Sequence, residues 1–309
     1  MKTLVVLTGP TGVGKTELSL RIAEALGSPV LSCDSRQIFR EIPIGTAAPS
    51  QDQLNRVKHY FIGSHSIQEY YSAAKFETEV LDLLENELFP KHDAVLMTGG
   101  SMMYIDAVCN GIDDMPDVDD QLRHDLMEQY DREGIEPLLS KLKLLDPEYY
   151  EQVDLKNYKR IIHGLEICLM TGKPFSSFRQ NSAKKRPFNI VKICLNRERV
   201  ELYQRIDQRV LEMMSQGLYE EAHKLYPFRS LNALNTVGYK ELFSHFDGEI
   251  TLDEAIVRIQ FNSHKYARKQ LTWFRRDKDY HWFHPENFSE IGQLLLDRCP
   301  NAFNEAFWK

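Results

Sequence analysis

A chain of 309 residues with 42% hydrophobic and 27% charged residues has the composition of a globular protein of one large domain or two. Its formal net charge of −7 argues against a generally basic coat for nucleic acid, although screening over roughly 8–10 Å leaves room for a local basic patch. The sequence has no apolar run long enough to span a bilayer and no signal-peptide pattern, so we expect a cytoplasmic protein without a membrane partner.

The cysteines and histidines argue against a structural metal. The five cysteines are widely spaced and form no C-x-x-C pair, which predicts reduced thiols. The ten histidines show no ligand-like cluster, so we expect no dedicated transition-metal site.

The first apolar run, Leu4 to Leu7, is typical of a buried strand and leads directly into the pattern G-x-x-x-x-G-K-T. In such a loop the glycines let backbone N–H groups approach phosphate oxygens, the lysine adds positive charge, and the threonine hydroxyl suits Mg²⁺. A helix over about 14–26 aims its positive end at the same anion. This context favours a phosphate or pyrophosphate site over an unoccupied glycine-rich turn. The loop comprises Gly9, Pro10, Thr11, Gly12, Val13, Gly14, Lys15 and Thr16.

A second buried strand is predicted at 30–33 and ends at Asp34. Strand, helix and strand in this order imply a right-handed parallel crossover. The carboxyl ends of both strands then share one edge of the sheet, where ligands bind. The polar cluster Asp34, Ser35, Arg36 and Gln37 is therefore expected beside the phosphate loop.

After a helix predicted at 72–89, a third strand over 94–97 ends in Thr98. A P-loop ATPase usually carries its second acidic Mg²⁺ ligand at this position. The missing carboxylate argues against nucleotide hydrolysis.

From Asp113 an acidic, proline-broken link begins, followed by helical patterns at about 120–132, 135–145 and 155–170. A strand pattern returns at 188–195, and further helices follow. We therefore predict an α/β fold, with a P-loop NTPase-like parallel sheet flanked by helices. Its discontinuous core covers 1–112 and 187–309, and a small helical insertion domain covers 113–186.

Two helices carry basic stripes, which suit RNA phosphates but also suit an ordinary solvated face. Aromatic residues accompany the second stripe, a combination that suits base stacking. The first comprises Lys156, Lys159, Arg160 and His163; the second comprises Lys265, Arg268, Lys269, Thr272 and Arg276, beside Trp273 and Phe274.

Arg205 and Arg209 lie four residues apart on one helix. They suit a polyanionic group or, equally, salt bridges to Glu201 and Glu212.

Short stretches along almost the whole chain form a recognisable set: Gly9-Pro10-Thr11-x-x-Gly14-Lys15-Thr16, Asp34-Ser35-x-Gln37, Gly45-Thr46-Ala47, Gly99-Gly100-Ser101-x-x-Tyr104, Asp146-Pro147-Glu148, Lys159-Arg160, Leu165-Glu166, Thr171-Gly172-Lys173, Val237-Gly238-Tyr239-Lys240-Glu241 and Arg268-Lys269-Gln270-Leu271-Thr272-Trp273-Phe274-Arg275. Jointly they resemble the tRNA dimethylallyltransferase family in its bacterial form. The resemblance implies transfer of a dimethylallyl group from dimethylallyl diphosphate to N6 of the adenosine 3′-adjacent to the anticodon. The implied partners are the tRNA anticodon stem-loop and the diphosphate donor.

Within this resemblance the residues take roles as hypotheses. Asp34 accepts the N6 proton, Thr11 donates to the leaving oxygen, and the loop residues 9–16 bind the diphosphate. Lys15, Arg209 and Mg²⁺ held by Thr16 neutralise the growing charge, with Arg205 as an alternative to Arg209. Contacts to the flipped adenosine or to the rest of the tRNA are expected from Asp34, Ser35, Arg36, Gln37, Ser101, Arg123, Lys159, Arg160, His163, Gly238, Tyr239 and Lys240.

Three residues depart from the pattern of that family. Arg36 replaces an apolar residue, Ser101 replaces threonine, and His163 replaces arginine, which makes its contact depend on pH. Each departure affects a single contact.

Three other functions remain open on the residues. A small-molecule kinase would consume ATP and use a second carboxylate near Thr98. A prenyltransferase for free adenine nucleotides would need neither the insertion nor the basic stripes. An RNA-binding regulator without chemistry would tolerate the loss of Asp34. We expect a monomer, since no self-complementary apolar face is evident.

Overall fold

The computed structural model describes residues 1–113, 119–179 and 184–308. Its strands are β1 (Thr3–Thr8), β2 (Val30–Ser32), β3 (His59–Tyr60), β4 (Ala94–Gly99), β5 (Asn189–Leu195) and β6 (Tyr280–Phe283). Its helices are α1 (Lys15–Leu26), α2 (Gln51–Arg56), α3 (Ala73–Leu83), α4 (Met102–Asn110), α5 (Asp120–Glu133), α6 (Glu136–Leu145), α7 (Pro147–Gln152), α8 (Tyr158–Thr171), α9 (Arg199–Ser215), α10 (Leu218–Leu225), α11 (Tyr239–Phe246), α12 (Leu252–Phe274) and α13 (Phe288–Arg298).

The six strands form one sheet in the order β3-β2-β4-β1-β5-β6, and every neighbouring pair is parallel. The central strand β1 is buried on both faces because side chains alternate across it. Val5 and Leu7 pack into one apolar cluster, and Leu4 and Val6 pack into another. The predicted parallel sheet flanked by helices is confirmed.

The edge strands β3 and β6 were missing from the sequence prediction. β3 contains only two residues, and β6 lies close behind the long helix α12. The predicted helix at 72–89 is also divided, because α3 ends at Leu83 and a π-helical turn, Leu84–Leu88, follows. Segments this short carry too little periodicity to be recognised from their residues.

The chain divides into two compact units. One comprises Met1–Asn110 and Lys185–Lys309, and the other comprises Gly111–Lys184. The larger unit contains the sheet, and the smaller contains α5, α6, α7 and α8 around a core that includes Leu138, Leu142, Ile161 and Leu165. Most of the predicted acidic link, residues 114–118, lies outside the described residues.

A third apolar cluster packs around the segment that follows β2. It joins residues after β2, such as Ile38 and Ile42, to α9, α10, α11 and α12. The fully buried Tyr239 belongs to this cluster. The segment after β2 is therefore held by helices more than 160 residues later in the chain.

Candidate active site

The phosphate loop between β1 and α1 depends on glycine. Gly12 has φ 78°, and a Cβ there would lie 2.7 Å from the side chain of Ile206 on α9. Gly9 has φ 150°, and its Cβ would lie 2.7 Å from the carbonyl oxygen of Leu195. A larger residue at either position would meet both backbone strain and steric overlap. The loop therefore brings its backbone close to β5 and α9.

Lys15 points its ammonium group back into this loop. Its Nζ donates to the carbonyl oxygens of Gly9 (2.8 Å) and Pro10 (2.9 Å). Burial, followed by the charge of Arg209, lowers the pKa of Lys15 to about 8, and the carboxylate of Asp34 opposes this shift. A bound anion would restore the favourable charge that these surroundings lack.

Asp34 follows β2, and its carboxylate is fixed by the local backbone. Oδ1 accepts hydrogen bonds from the backbone N–H groups of Arg36 (2.9 Å) and Gln37 (3.3 Å). The carboxylate also lines a cavity of about 830 Å³ together with Thr11 and Lys15. The expected meeting of Asp34 with the phosphate loop at one sheet edge is therefore present in the structure.

Arg205 and Arg209 on α9 both reach the phosphate loop. Arg209 donates to Oγ1 of Thr11 (2.9 Å), and Arg205 donates to the carbonyl oxygen of Gly12 (3.0 Å). Burial lowers the pKa of the Arg209 guanidinium, although Asp34 opposes the shift. The alternative of a salt bridge to Glu201 is not realised, since Glu201 pairs with Arg197 instead.

Two cavities meet at the site. The first, of about 830 Å³, contains the phosphate-loop residues, and the second, of about 530 Å³, extends towards Lys240, Lys265 and Lys269. The residues that line both are Thr11, Asp34, Arg209, Met213 and Tyr266. Two ligands, one in each cavity, would meet at these five side chains.

Gln270 on α12 links two turns of the site. It is fully buried, its Oε1 accepts from the backbone N–H of Thr11 (2.9 Å), and its Nε2 donates to the carbonyl oxygen of Gly100 (2.8 Å). A Cβ on Gly100 would lie 2.4 Å from that Nε2. No chemical signal in the residues predicts this role, and Gln270 is distinguished only by its place in a stretch that resembles a known family.

Ser101 and Ser35 line the second cavity side by side. The hydroxyl of Ser101 accepts from the backbone N–H of Ser35 (2.8 Å) and donates to its hydroxyl (3.1 Å). Tyr266 forms a side-chain hydrogen bond with Ser101, and burial raises the pKa of this tyrosine. Thr98, where a carboxylate was missing, donates its hydroxyl to the carbonyl oxygen of Leu7 (3.0 Å).

Some of the residues predicted to contact RNA line a cavity, and one of them is fully buried. Ser35, Ser101, Gly238 and Lys240 line the second cavity. The prediction for Tyr239 is wrong, because this side chain has no exposed surface and therefore cannot contact RNA.

Arg36 and Gln37 lie at the cavities with their side chains already engaged. Arg36 donates to the carbonyl oxygens of Asn232 (3.0 Å) and Ala233 (3.2 Å). Gln37 donates to the carbonyl oxygens of Thr46 (3.2 Å) and Ala47 (3.1 Å). Both side chains hold the protein backbone in place.

In the smaller unit, Lys159 and Arg160 are exposed near the start of α8. His163 is half-buried, with Nδ1 3.4 Å from the carboxylate of Glu166. Arg123 forms two hydrogen bonds to the same carboxylate, at 2.6 and 2.8 Å. Lys159 and Arg160 therefore keep the more accessible charges of this face.

The aromatic part of the second basic stripe is used for packing. Phe274 is buried against the sheet, and the indole N–H of Trp273 donates to Asp106 (2.8 Å). Lys265 and Lys269 of the same stripe line the second cavity.

Residues suited to a metal ion are sparse. Thr16 lines the first cavity, and among residues 1–113, 119–179 and 184–308 no group of three or more His, Cys, Asp or Glu side chains is close enough to hold a metal. Mg²⁺ usually keeps several water ligands and binds through substrate phosphates, so one protein hydroxyl beside a phosphate loop fits its requirements. Across the described part of the chain, none of the helices is both long and apolar enough for a bilayer.

Comparison with known proteins identifies a consistent group of relatives. A family model described as IPP transferase matches residues 37–277. The chain is 65% identical over 284 residues to tRNA dimethylallyltransferase 2 of Porphyromonas gingivalis, covering 92% of this chain and 94% of the relative. It is 59% identical over 300 residues to tRNA dimethylallyltransferase 2 of Parabacteroides distasonis, covering 96% and 100%.

Solved structures agree with this result. The tRNA isopentenylpyrophosphate transferase of Bacillus halodurans is 33% identical, with a TM-score of 0.70 over 96% of this chain and 97% of that protein. The corresponding protein of Staphylococcus epidermidis is 26% identical, with a TM-score of 0.69 over 96% and 100%. The similarity therefore extends over both units.

Proposed function

The chain belongs to the IPP transferase family of tRNA dimethylallyltransferases, and we propose that it transfers a dimethylallyl group from dimethylallyl diphosphate to adenine N6 in tRNA. The acceptor is the adenosine 3′-adjacent to the anticodon. The products are N6-(dimethylallyl)adenosine and diphosphate. Family membership makes the chain a tRNA-modifying transferase, whereas the donor, the acceptor atom and the residue roles below are the proposal.

One observation carries this proposal: the two cavities share Thr11, Asp34 and Arg209. The first cavity contains the phosphate loop and suits the diphosphate of the donor. The second has lysines at its rim and suits a nucleotide that arrives from RNA. The carbon of the donor and the nitrogen of the acceptor would then meet beside a carboxylate.

On the donor side, Thr11 is oriented to assist departure of the diphosphate. Its Oγ1 accepts from Arg209, so the hydroxyl hydrogen remains available to donate to the bridging oxygen. Lys15 and Arg209 neutralise the charge that develops on that oxygen as the carbon–oxygen bond breaks. Lys15 would exchange its carbonyl partners in the loop for phosphate oxygens.

On the acceptor side, Asp34 serves as the general base. The adenine N6 amine is a poor nucleophile because its lone pair is delocalised. As N6 forms a bond to the allylic carbon, the carboxylate of Asp34 accepts an N6 proton, while the electron pair of the broken bond leaves with diphosphate. Its Oδ1 hydrogen bonds to two backbone N–H groups hold the carboxylate in place.

Thr16 is the residue that would hold Mg²⁺ beside the diphosphate. A bound Mg²⁺ would supply positive charge to the phosphate oxygens. Removal of divalent cations with a chelator, followed by titration with MgCl₂, tests this dependence. Transfer at an unchanged rate in the chelator would contradict it.

The adenosine must leave the stacked anticodon loop for its N6 to reach Asp34. Lys159, Arg160 and His163 would hold the anticodon stem-loop from the smaller unit. Replacement of all three residues with glutamate should weaken tRNA binding and reduce the slope of log K against log salt. An unchanged dissociation constant would contradict this placement.

The decisive experiment incubates the protein with labelled dimethylallyl diphosphate and an anticodon stem-loop RNA, with and without ATP. Label in the RNA without ATP supports the transferase. Label in the RNA only in the presence of ATP, or no label in the RNA, would contradict it, and label in the added ATP alone would favour the prenyltransferase of free nucleotides. We further propose that the enzyme acts as a monomer in the cytoplasm, which light scattering and cell fractionation test.

A further inference from the structure

Residues 43–48, here called the strap, form a wall of both cavities. Ala47 lines the first cavity, and Gly45 and Thr46 line the second. The strap is a tight turn in which the N–H of Ala47 donates to the carbonyl of Ile44 (2.9 Å). Ala47 adopts φ 46°, an unfavourable conformation for a residue with a Cβ. Something outside the strap must keep it in this shape.

Glu221 on α10 is the group that holds the strap. Its Oε2 accepts from the backbone N–H of Ile44 (2.9 Å), and its Oε1 accepts from the backbone N–H of Gly45 (2.9 Å). The hydroxyl of Tyr239 donates to the same Oε1 (2.5 Å). One half-buried carboxylate thus accepts three hydrogen bonds, two of them from consecutive backbone groups.

Tyr239 packs directly beneath the strap. A Cβ on Gly45 would lie 2.4 Å from the Tyr239 hydroxyl oxygen, so only glycine permits this approach. The aromatic ring is fully buried, and the position of its hydroxyl is therefore fixed. Glu221 and Tyr239 form one rigid support, although neither side chain lines the cavities that share Asp34.

The strap transmits this support to the site through its carbonyl groups. The carbonyl oxygen of Thr46 accepts from Gln37 (3.2 Å) and from Arg209 (3.4 Å). The carbonyl oxygen of Ala47 also accepts from Gln37 (3.1 Å). If the strap moved, Arg209 would lose one of its two hydrogen-bond partners, and Gln37 would lose two.

We propose that Glu221 is a positioning residue for prenyl transfer: it holds the strap so that the carbonyl oxygen of Thr46 orients Arg209 towards the diphosphate. This inference rests on the proposed function, because it assigns Arg209 to the diphosphate. It also gives a role to the two hydrogen bonds that Glu221 on α10 accepts from backbone N–H groups 177 and 176 residues earlier in the chain.

The test compares Glu221→Gln with the matched control Glu220→Gln, which removes a neighbouring exposed charge of the same helix. Inorganic pyrophosphate is the probe, titrated into the full chain by calorimetry. Glu221→Gln should weaken pyrophosphate binding by roughly tenfold, because one N–H of the strap then faces an amide donor and Arg209 is released. Glu220→Gln should bind as the unmodified protein does.

A double-mutant cycle separates positioning from a general loss of structure. In an Arg209→Gln background, Glu221→Gln should weaken pyrophosphate binding by less than about twofold, because its target is already absent. Full additivity of the two losses would overturn the proposal. Equal pyrophosphate affinity in Glu221→Gln and Glu220→Gln would also overturn it.

Tyr239→Phe provides the test if Glu221→Gln does not fold. It removes one hydroxyl, keeps the packed ring, and should weaken pyrophosphate binding by about two- to fivefold. Unchanged affinity in this variant would then contradict the proposal. If the proposed function itself were wrong, the unmodified protein would transfer no label to RNA. That result is distinct from a failure of the positioning role, which appears only in the pyrophosphate affinities of the variants.

Discussion

The two walls of the site are built in different ways. The first wall, residues 9–16, obtains its shape from glycines and from one helix that follows at once. The second wall, residues 34–48, is held by side chains and carbonyl groups from residues 221–239, far along the chain. The backbone shape of the first wall is therefore set locally, with later contacts from Arg205 and Gln270, whereas the shape of the second wall depends on the completed fold.

This difference coincides with a division of chemical roles. The first wall offers backbone N–H groups and Lys15, which are groups for binding an anion. The second wall offers Asp34, the group assigned to proton transfer. A site of this kind separates affinity for the donor from the rate of transfer, and variants on each wall should affect one quantity more than the other.

The largest expected effect comes from Asp34, on the second wall. Asp34→Ala should lower kcat by about 10²–10⁴-fold, with little change in pyrophosphate affinity, because general-base catalysis is lost. Asp34→Asn is the control, since its amide oxygen still accepts from the N–H groups of Arg36 and Gln37. Steady-state kinetics with stem-loop RNA measure both variants. Near-normal kcat in Asp34→Asn would reduce Asp34 to a structural cap.

The next test measures how much the first wall depends on a residue far along the chain. Gln270→Met removes both hydrogen bonds to Thr11 and Gly100, and should lower the free energy of unfolding by about 1–3 kcal/mol, because buried polar groups lose their partners. Gln270→Glu keeps an acceptor for Thr11 and, when protonated, can also donate to Gly100, so it should cost less at low pH than at high pH. Urea denaturation measures both changes. Unchanged stability in Gln270→Met would show that the first wall does not depend on the hydrogen bonds of Gln270.

The pH dependence of donor binding sharpens the role of Lys15. Its pKa is lowered to about 8, so the ammonium group loses its proton as the pH rises through that value. Pyrophosphate affinity should therefore be full below about pH 8 and fall by up to about tenfold per pH unit above it. Calorimetry from pH 6.5 to 9.5 measures this, with Lys15→Arg as the variant that stays charged. Parallel pH profiles in the two proteins would contradict the assignment.

The smallest expected effect concerns Arg36, on the second wall. Arg36→Leu loses hydrogen bonds to the carbonyl oxygens of Asn232 and Ala233 and should lower the free energy of unfolding by about 0.5–1.5 kcal/mol. Arg36→Lys, which keeps one donor group, should recover part of this loss in urea denaturation. If the leucine variant were as stable as the original protein, the hydrogen bonds of Arg36 would not contribute to stability.

The sequence predicted the parts of the site that depend on short-range patterns. The phosphate loop and the position of Asp34 follow from strand and helix signals within 34 residues. The general fold follows from strand and helix patterns of the same kind in the rest of the chain, such as the strand patterns at 94–97 and 188–195. The short strands β3 and β6 escaped prediction because two and four residues carry too little pattern.

The residues that sequence reasoning missed act over long range. Glu221 occupies an ordinary helical position, and only the tertiary structure places it against Ile44 and Gly45. Tyr239 was predicted to contact RNA because it lies in a recognisable stretch, yet it is buried in the core while its neighbours Gly238 and Lys240 line the second cavity. Membership of a motif did not distinguish a residue that supports the site from one that touches a ligand.

The central position of β1 has a consequence for biosynthesis. The first strand to leave the ribosome pairs with β4 and β5, and β5 follows only after the whole smaller unit has been made. Arg209 and Gln270 are translated later still, so a nascent chain contains its phosphate loop long before the groups that complete it. Because contacts of such sequence separation form late, newly made enzyme should become competent only near the end of synthesis.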